Sequence, residues 1–286
     1  MGDIGWDLAK NEGIAGTGDN RYFDRDLYEK ILRASESWKS QTEGINRAWL
    51  CWNVHDDWCW LQQKLIVEAG WTPIVGWDPS CSKCPPLVPG AIAIDFNADL
   101  GLPLLWSHLP LEFSFLWTEK LAFWHSDLIL SRHKMEKVAK IFSNLTDNEV
   151  SAVFSYGGLK NLFQVKNHRY WELLGCTTQG ASRDQFEKGA GWFRHIAYHM
   201  NAPKDEIEQR RRKDLSSEHG AGILYWKKHY KGQVHSISER WLKEEHFSVI
   251  SIPNYIKASS KTEEMEINFN LDRIAQKFGI SDLLIK

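Results

Sequence analysis

AWLCWNVHDDWCWLQQKLIVEAGWTPIVGWDPS, residues 48–80, is the stretch on which the fold turns. Trp49 to Val54 is a short apolar run of strand length. His55, Asp56 and Asp57 break it, and either aspartate suits the start of a helix. Trp58, Leu61, Leu65 and Ala69 follow at helical spacing, and Gly70 stops the helix. Thr72 to Trp77 reads as a second strand, ended by Asp78-Pro79-Ser80. Such a β-α-β unit places two parallel strands side by side through a right-handed crossover.

The alternation continues downstream. Ala91 to Phe96 is a third strand, and Lys120 to Trp124 a fourth that runs into His125-Ser126-Asp127 and is continued by Leu128-Ile129-Leu130. Ser131 caps a helix whose buried face is Met135, Val138, Ala139 and Phe142, one helical stripe. Val150 to Phe154 is a fifth strand. Residues 1–47 read as an N-terminal extension with one helix, its stripe at Leu27, Ile31, Leu32 and Ala34. After Tyr170 the periodicity loosens. Ser182-x-x-Gln185 has the form of a capping box, Trp192, Phe193, Ile196 and Met200 are spaced as on a helix, Phe247 to Ile252 reads as a strand, and Leu271 to Phe278 as a helix. The expected fold is a single large α/β domain, Rossmann-like, with a mostly parallel central sheet flanked by helices. Its organisation divides into the extension 1–47, a ligand-binding half 48–155 and a second half with a C-terminal extension, 156–286.

Bulk composition narrows the function classes. The chain has 286 residues, 43% hydrophobic and 25% charged, the ordinary globular range. Its net charge of -2 gives no overall positive field to draw nucleic acid or acidic lipid. The most apolar region, Leu100 to Trp117, carries Pro103, His108, Pro110 and Glu112, so no membrane span is expected. Five cysteines, an odd count behind no export signal, point to reduced thiols and a cytoplasmic chain. Fifteen tryptophans supply flat apolar faces with an N–H donor, suited to core packing and to stacking on sugars.

In open α/β sheets ligands gather beyond the carboxyl ends of the strands. The residues there are Asn53-Val54-His55-Asp56-Asp57, Asp78-Pro79-Ser80, Asp95-Phe96-Asn97 and His125-Ser126-Asp127, each group with a carboxylate. This succession resembles the nucleotide-binding half of a GT-A-type glycosyltransferase, most like glycosyltransferase family 2. The resemblance spans roughly residues 48–155 and rests on the strand order, on Asp78-Pro79-Ser80 and on the acidic motif after the fourth strand. It implies transfer of a sugar from a nucleotide-sugar donor to a hydroxyl-bearing glycan or small-molecule acceptor. Asn53, His55, Asp57, Asp78, Ser80 and Ser126 would line the donor site, with Asp78 on the base. Asp127 and His125 would hold a divalent metal, Mn2+ or Mg2+, on the diphosphate, with His246 as a further ligand from the C-terminal part. His125 stands where the family has an aspartate. An imidazole there shifts the balance toward Mn2+, because Mg2+ prefers oxygen.

In the second half, Asp184, Glu187 and Glu172 are the candidate bases for the acceptor hydroxyl, Asp184 first because it lies between a loop and a helix start. Trp171 and Trp192 are a candidate acceptor platform, and Arg210 to Lys213 a basic segment able to close over a diphosphate. Other readings compete. Cys81-Ser82-Lys83-Cys84 has zinc-ligand spacing but lacks a second cysteine pair. Cys176 is a possible nucleophile with His195 or His199 as base. A non-catalytic carbohydrate- or nucleotide-binding protein would use the aromatics as stacking surfaces, whereas the acidic rim disfavours nucleic acid. A metal-dependent nucleotidyltransferase would need a Gly-rich basic loop after its first strand, where this chain has Asn53 to Asp57.

Overall fold

The computed structural model describes residues 25–53, 55–77, 84–96, 98, 111, 114–155, 169–188, 191–192, 221–247 and 270–285. In chain order they form α1 (Arg25–Gln41), β1 (Arg47–Trp52), α2 (Asp56–Glu68), β2 (Thr72–Gly76), β3 (Ile92–Ile94), β4 (Lys120–Trp124), α3 (Arg132–Ser143), β5 (Glu149–Ser155) and β6 (Arg169–Thr178). Then come α4 (Gln179–Glu187), α5 (Ala221–His229), β7 (Gln233–Ser238), α6 (Glu239–Leu242), α7 (Leu271–Phe278) and a 3-10 turn at Ser281–Leu284.

The strands make one 7-stranded sheet in the order β3-β2-β1-β4-β6-β5-β7. β1 pairs in parallel with β2 and β4, β2 with β3, and β5 with β7, while β6 runs antiparallel to both of its neighbours. The expected α/β domain with a mostly parallel sheet flanked by helices is thus present. The division at residue 155 falls inside that sheet, since β6 and β7 complete it from beyond. The strand order turns back between β1 and β4, which makes their carboxyl ends the switch point of the sheet.

Local sequence explains the elements. β1, β2 and β4 are apolar runs with at most one partly exposed end, as strands covered on both faces require. On α3, Met135, Val138, Ala139 and Phe142 are buried as their spacing predicts, and Ser131 is its N-cap. Helix α2 differs in detail. His55 is the N-cap, and Asp56 and Asp57 occupy the first turn, where carboxylates favour the positive end of the helix dipole. Leu128 to Leu130 do not extend β4; Leu128 makes an isolated antiparallel bridge to His246. Ser182 lies inside α4, whose N-cap is Thr178, so the capping box does not form. Of the expected strand from Phe247 to Ile252 only Phe247 lies among the described residues, and of the residues at helical spacing after α4 only Trp192. The first helix forms where expected, with Ala34 buried.

Tryptophan holds the core. Trp49 on β1 is fully buried, with its ring 5.6 Å from Trp71, 5.0 Å from Trp124 and 5.3 Å from Phe142. On β6, Gly175 leaves room for Trp192, because a Cβ there would stand 2.8 Å from that ring. The C-terminal segment is clamped by Arg132, which forks onto Glu68 at 3.0 and 3.1 Å, donates to the Gly279 carbonyl and pairs with Asp282.

Trp49 tests this core. Its indole N–H has no hydrogen-bond partner, so only ring volume is at stake. Trp49→Ala is expected to cost about 3–5 kcal/mol in urea unfolding, whereas Trp49→Phe, which keeps an aromatic ring, costs markedly less.

Candidate metal centre

The chain leaves β4 at Trp124 and turns at once, His125 to Leu128, at the switch-point edge. Three sets of hydrogen bonds fix this turn. The buried Gln62 of α2 donates both amide hydrogens through Nε2, to the carbonyls of His125 and Leu128 at 2.9 Å each. The His125 N–H donates to the Leu173 carbonyl of β6 at 2.9 Å. On the far side, the segment 245–247 lies antiparallel to the turn: Ile129 N–H donates to Glu245 O at 3.1 Å, and Phe247 N–H to Asp127 O at 3.0 Å. That segment is held in turn by Lys134, 2.6 Å from the buried Glu245 carboxylate, and by Phe247 edge-on to Trp58 at 5.5 Å.

The outcome is a compact group of side chains. His125 Nδ1 is 3.6 Å from Asp127 Oδ1, and His246 Nε2 is 3.4 Å from the same oxygen. One donor atom from each of the three lies within 4.8 Å of the others. An ion with bonds of about 2.1 Å holds neighbouring donors about 3.0 Å apart at right angles and about 3.4 Å apart at tetrahedral angles. The two distances to Asp127 already approach these values, and the two imidazoles, within 4.8 Å of each other, would draw together to close the group onto a cation. Asp127 is 3% exposed, while the His125 and His246 side chains are 34% and 23% exposed, so the carboxylate is the floor of the group and the imidazoles its open side. Two imidazoles and one carboxylate suit Mn2+, Fe2+, Co2+ or Zn2+ better than Mg2+. His125, Asp127 and His246 thus form a group, floored by a buried carboxylate, that is able to hold a metal ion, whose identity they do not set.

Glu172 adjoins the group. Its Oε1 is 3.6 Å from His125 Nε2, the ring nitrogen not facing Asp127. It arrives there through an irregularity in β6: Ala152 pairs with Gly175 and the next residue, Val153, pairs with Trp171, so Glu172 to Leu174 have no partner on β5. Bulges of this kind recur beside functional sites, where they re-aim a side chain.

Charge on these groups is mutual. Burial opposes a proton on His125, but Asp127 and Glu172 outweigh it and its pKa is pushed up to about 10. Burial likewise opposes charge on Asp127, but the two imidazoles hold its carboxyl well below the usual carboxylate range.

The other residues expected at the site distribute as follows. Asn53 is buried at the end of β1, its Nδ2 donating to Asp56 Oδ1 at 3.0 Å and its N–H to Gly76 O at 2.7 Å. His55 and Asp57 are exposed at the start of α2, on the same edge, and Ser126 is half-buried between the two ligands of the turn. Asp78, Ser80, Asn97, Cys81, His195, His199 and Arg210 to Lys213 lie outside the described residues. Asp184 and Glu187 are not brought to this edge. They lie on α4, which begins where Thr178 pairs with Lys120, at the amino end of β4. Asp184 is engaged there by Lys188 and by Trp226 Nε1 at 2.7 Å. Trp192 is no platform: it is fully buried, donates to Thr177 Oγ1 at 2.7 Å and meets Phe123 edge-on at 4.9 Å. Trp171 is half-buried on β6. Cys176 is buried in β6 and burial drives its thiol pKa up, which removes it as a nucleophile. Sequence reasoning missed Gln62, although a glutamine on the apolar stripe with Trp58 and Leu65 was a signal. It also missed the pairing of the turn with segment 245–247, for which no local signal exists.

Comparisons with protein-family models, with curated proteins and with solved structures each found no match for this chain.

Two outcomes follow for the metal-free protein. Gln62→Leu keeps the volume but strips the donors from two turn carbonyls, and about 1–3 kcal/mol is expected to be lost in urea unfolding. The raised pKa of His125 stabilises the fold fully below its unfolded value of about 6.5. That contribution fades as pH climbs toward about 10. The Tm gap between the protein and His125→Gln should therefore narrow from pH 6 to pH 10, and a constant gap would contradict the charge arrangement.

Proposed function

We propose that this chain is a nucleotide-sugar-dependent glycosyltransferase of the GT-A type that works with a divalent cation, Mn2+ rather than Mg2+, at His125, Asp127 and His246. The observation that carries the reading is the gathering of these three residues directly after β4, at the edge where the strand order turns back between β1 and β4. Ligands of doubly wound sheets bind at that place. The resemblance of residues 48–155 to the donor half of such enzymes rests in part on the same motif, His125-Ser126-Asp127.

The chemistry required is charge stabilisation. When the glycosyl bond breaks, the nucleoside diphosphate leaves with added negative charge, and a bound cation supplies a Lewis acid for its oxygens. The chain's own residues act around it. Asp127, ionised and recessed, would hold the cation together with His125 and His246. His125 and His246 keep one side open toward the rim, where Ser126, His55 and Asp57 can meet the donor. Asn53 ties the end of β1 to the first turn of α2 and so holds that rim in place. Glu172 is the one proposed acceptor-side carboxylate on this edge, and Trp171 beside it on β6 is the remaining stacking candidate.

A second reading is favoured by the donor set itself. Two histidines and one carboxylate with open positions are the ligands of non-haem iron(II) oxygenases. Oxygen uptake by the Fe2+-loaded protein separates the two.

The test is thermal denaturation with Mn2+ alone and then with a panel of sugar nucleotides, each with and without Mn2+. Ligand that binds only the folded state raises Tm with the logarithm of its concentration over Kd. Mn2+ is expected to raise Tm, at least one sugar nucleotide to raise it further only when Mn2+ is present, and Asp127→Asn to remove both shifts. Nucleotide binding that is indifferent to metal, or an unchanged Mn2+ shift in Asp127→Asn, would sink the reading.

A further inference from the structure

We infer that Glu172 is the positioning residue of the metal centre: its carboxylate faces His125 Nε2–H, keeps the hydrogen on that nitrogen and so leaves the Nδ1 lone pair for the cation. This rests on the cation site proposed above and assigns a specific task within it. A neutral imidazole carries one N–H and one lone pair, and which nitrogen binds a metal is set by the partner of the other. His125 has a carboxylate at each nitrogen: Asp127 at 3.6 Å from Nδ1, on the side shared with His246, and Glu172 at 3.6 Å from Nε2. With the cation in the group, Nδ1 faces it and Nε2 faces Glu172.

The fold goes out of its way to make this contact. β6 carries Glu172 to Leu174 as a step without β5 register partners, between Trp171, opposite Val153, and Gly175, opposite Ala152, while Leu174 stays paired with Trp124 of β4. Within the same step, the Leu173 carbonyl accepts from the His125 N–H at 2.9 Å. One irregularity therefore fixes both the backbone of His125 and the far side of its ring. Gln62 holds the His125 carbonyl from the other face of the turn. In this arrangement the ring turns Nδ1 to Asp127 and Nε2 to Glu172. Outer carboxylates of this sort raise ligand basicity, and losing one weakens metal affinity about 10- to 100-fold.

Co2+ is the probe, since its visible spectrum reports ligand identity and geometry. The wild-type protein, Glu172→Ala, Glu172→Gln and Asp127→Ala are titrated with Co2+ alone, and the metal-free Tm of each is recorded. The expected result is that Glu172→Ala binds Co2+ about 10- to 100-fold more weakly. Its loaded spectrum should be shifted and its metal-free Tm close to that of Glu172→Gln. Glu172→Gln keeps an acceptor oxygen for Nε2–H and should fall between the alanine variant and wild type in affinity. A purely structural role would lower Tm without altering the spectrum of the loaded protein, which overturns the assignment. So does wild-type Co2+ affinity and spectrum in Glu172→Ala. Loss of all binding in Glu172→Ala with binding retained in Asp127→Ala also overturns it, because Glu172 is then a ligand. Failure of the wild-type protein to bind Co2+ at all instead removes the cation site itself, and the inference with it.

Discussion

A carboxylate removed from water must be compensated, because leaving it ionised and alone in a protein interior costs several kcal/mol. Asp127, 3% exposed, imposes that requirement on everything near it. Its charge is met by His125 two residues earlier and by His246 from a distant part of the chain. To keep both imidazoles there, the turn after β4 is tied to α2 through Gln62, to β6 through Leu173 and to the segment 245–247 through paired backbone groups. An arrangement with that many supports around one acidic side chain is costly to maintain for packing alone. A pair of well-packed apolar residues would serve stability as well. The support exceeds what packing alone needs, in keeping with a group able to hold a metal ion.

The reversed strand makes the site possible. A sheet of parallel strands brings only strand ends to its carboxyl edge, and each end contributes a loop. β6 runs the other way between β4 and β5, so its beginning lies at that edge beside the exit of β4. Glu172 is thereby placed from within a strand, between Trp171, paired with Val153, and Leu174, paired with Trp124, which fixes it more firmly than a loop residue. The same reversal sends the end of β6, and α4 after it, to the opposite edge. That is why Asp184 and Glu187, only a dozen or so positions from Glu172, have no access to the group.

How much of this was legible in the sequence follows from where the information resides. β1, α2, β2, β4, α3 and β5 are local patterns: apolar runs broken by His55-Asp56-Asp57 or by Gly70, and the stripe from Met135 to Phe142. Asp127 and His125 were legible because the strand before them and the helix after them fix their place at a sheet edge. β6 was not, because Glu172 and Gly175 interrupt an otherwise apolar run from Tyr170 to Cys176. Both interruptions have tertiary causes, a metal-site neighbour and the ring of Trp192. The role of Trp192 failed for a related reason, since a tryptophan's hydrogen-bond partner, here Thr177, cannot be read from spacing.

The bridge between Leu128 and His246 joins positions about 120 residues apart, a long loop to close at a cost that grows with the logarithm of its length. Asp127 and His125 are translated long before the residue that completes their coordination. During synthesis the nascent chain therefore offers at most a two-donor half-site, weak and open. Only after most of the polypeptide has left the ribosome can a cation be held by all three donors. The group able to hold a cation is in this way completed late in the biogenesis of the molecule, when the segment around His246 docks against the turn after β4.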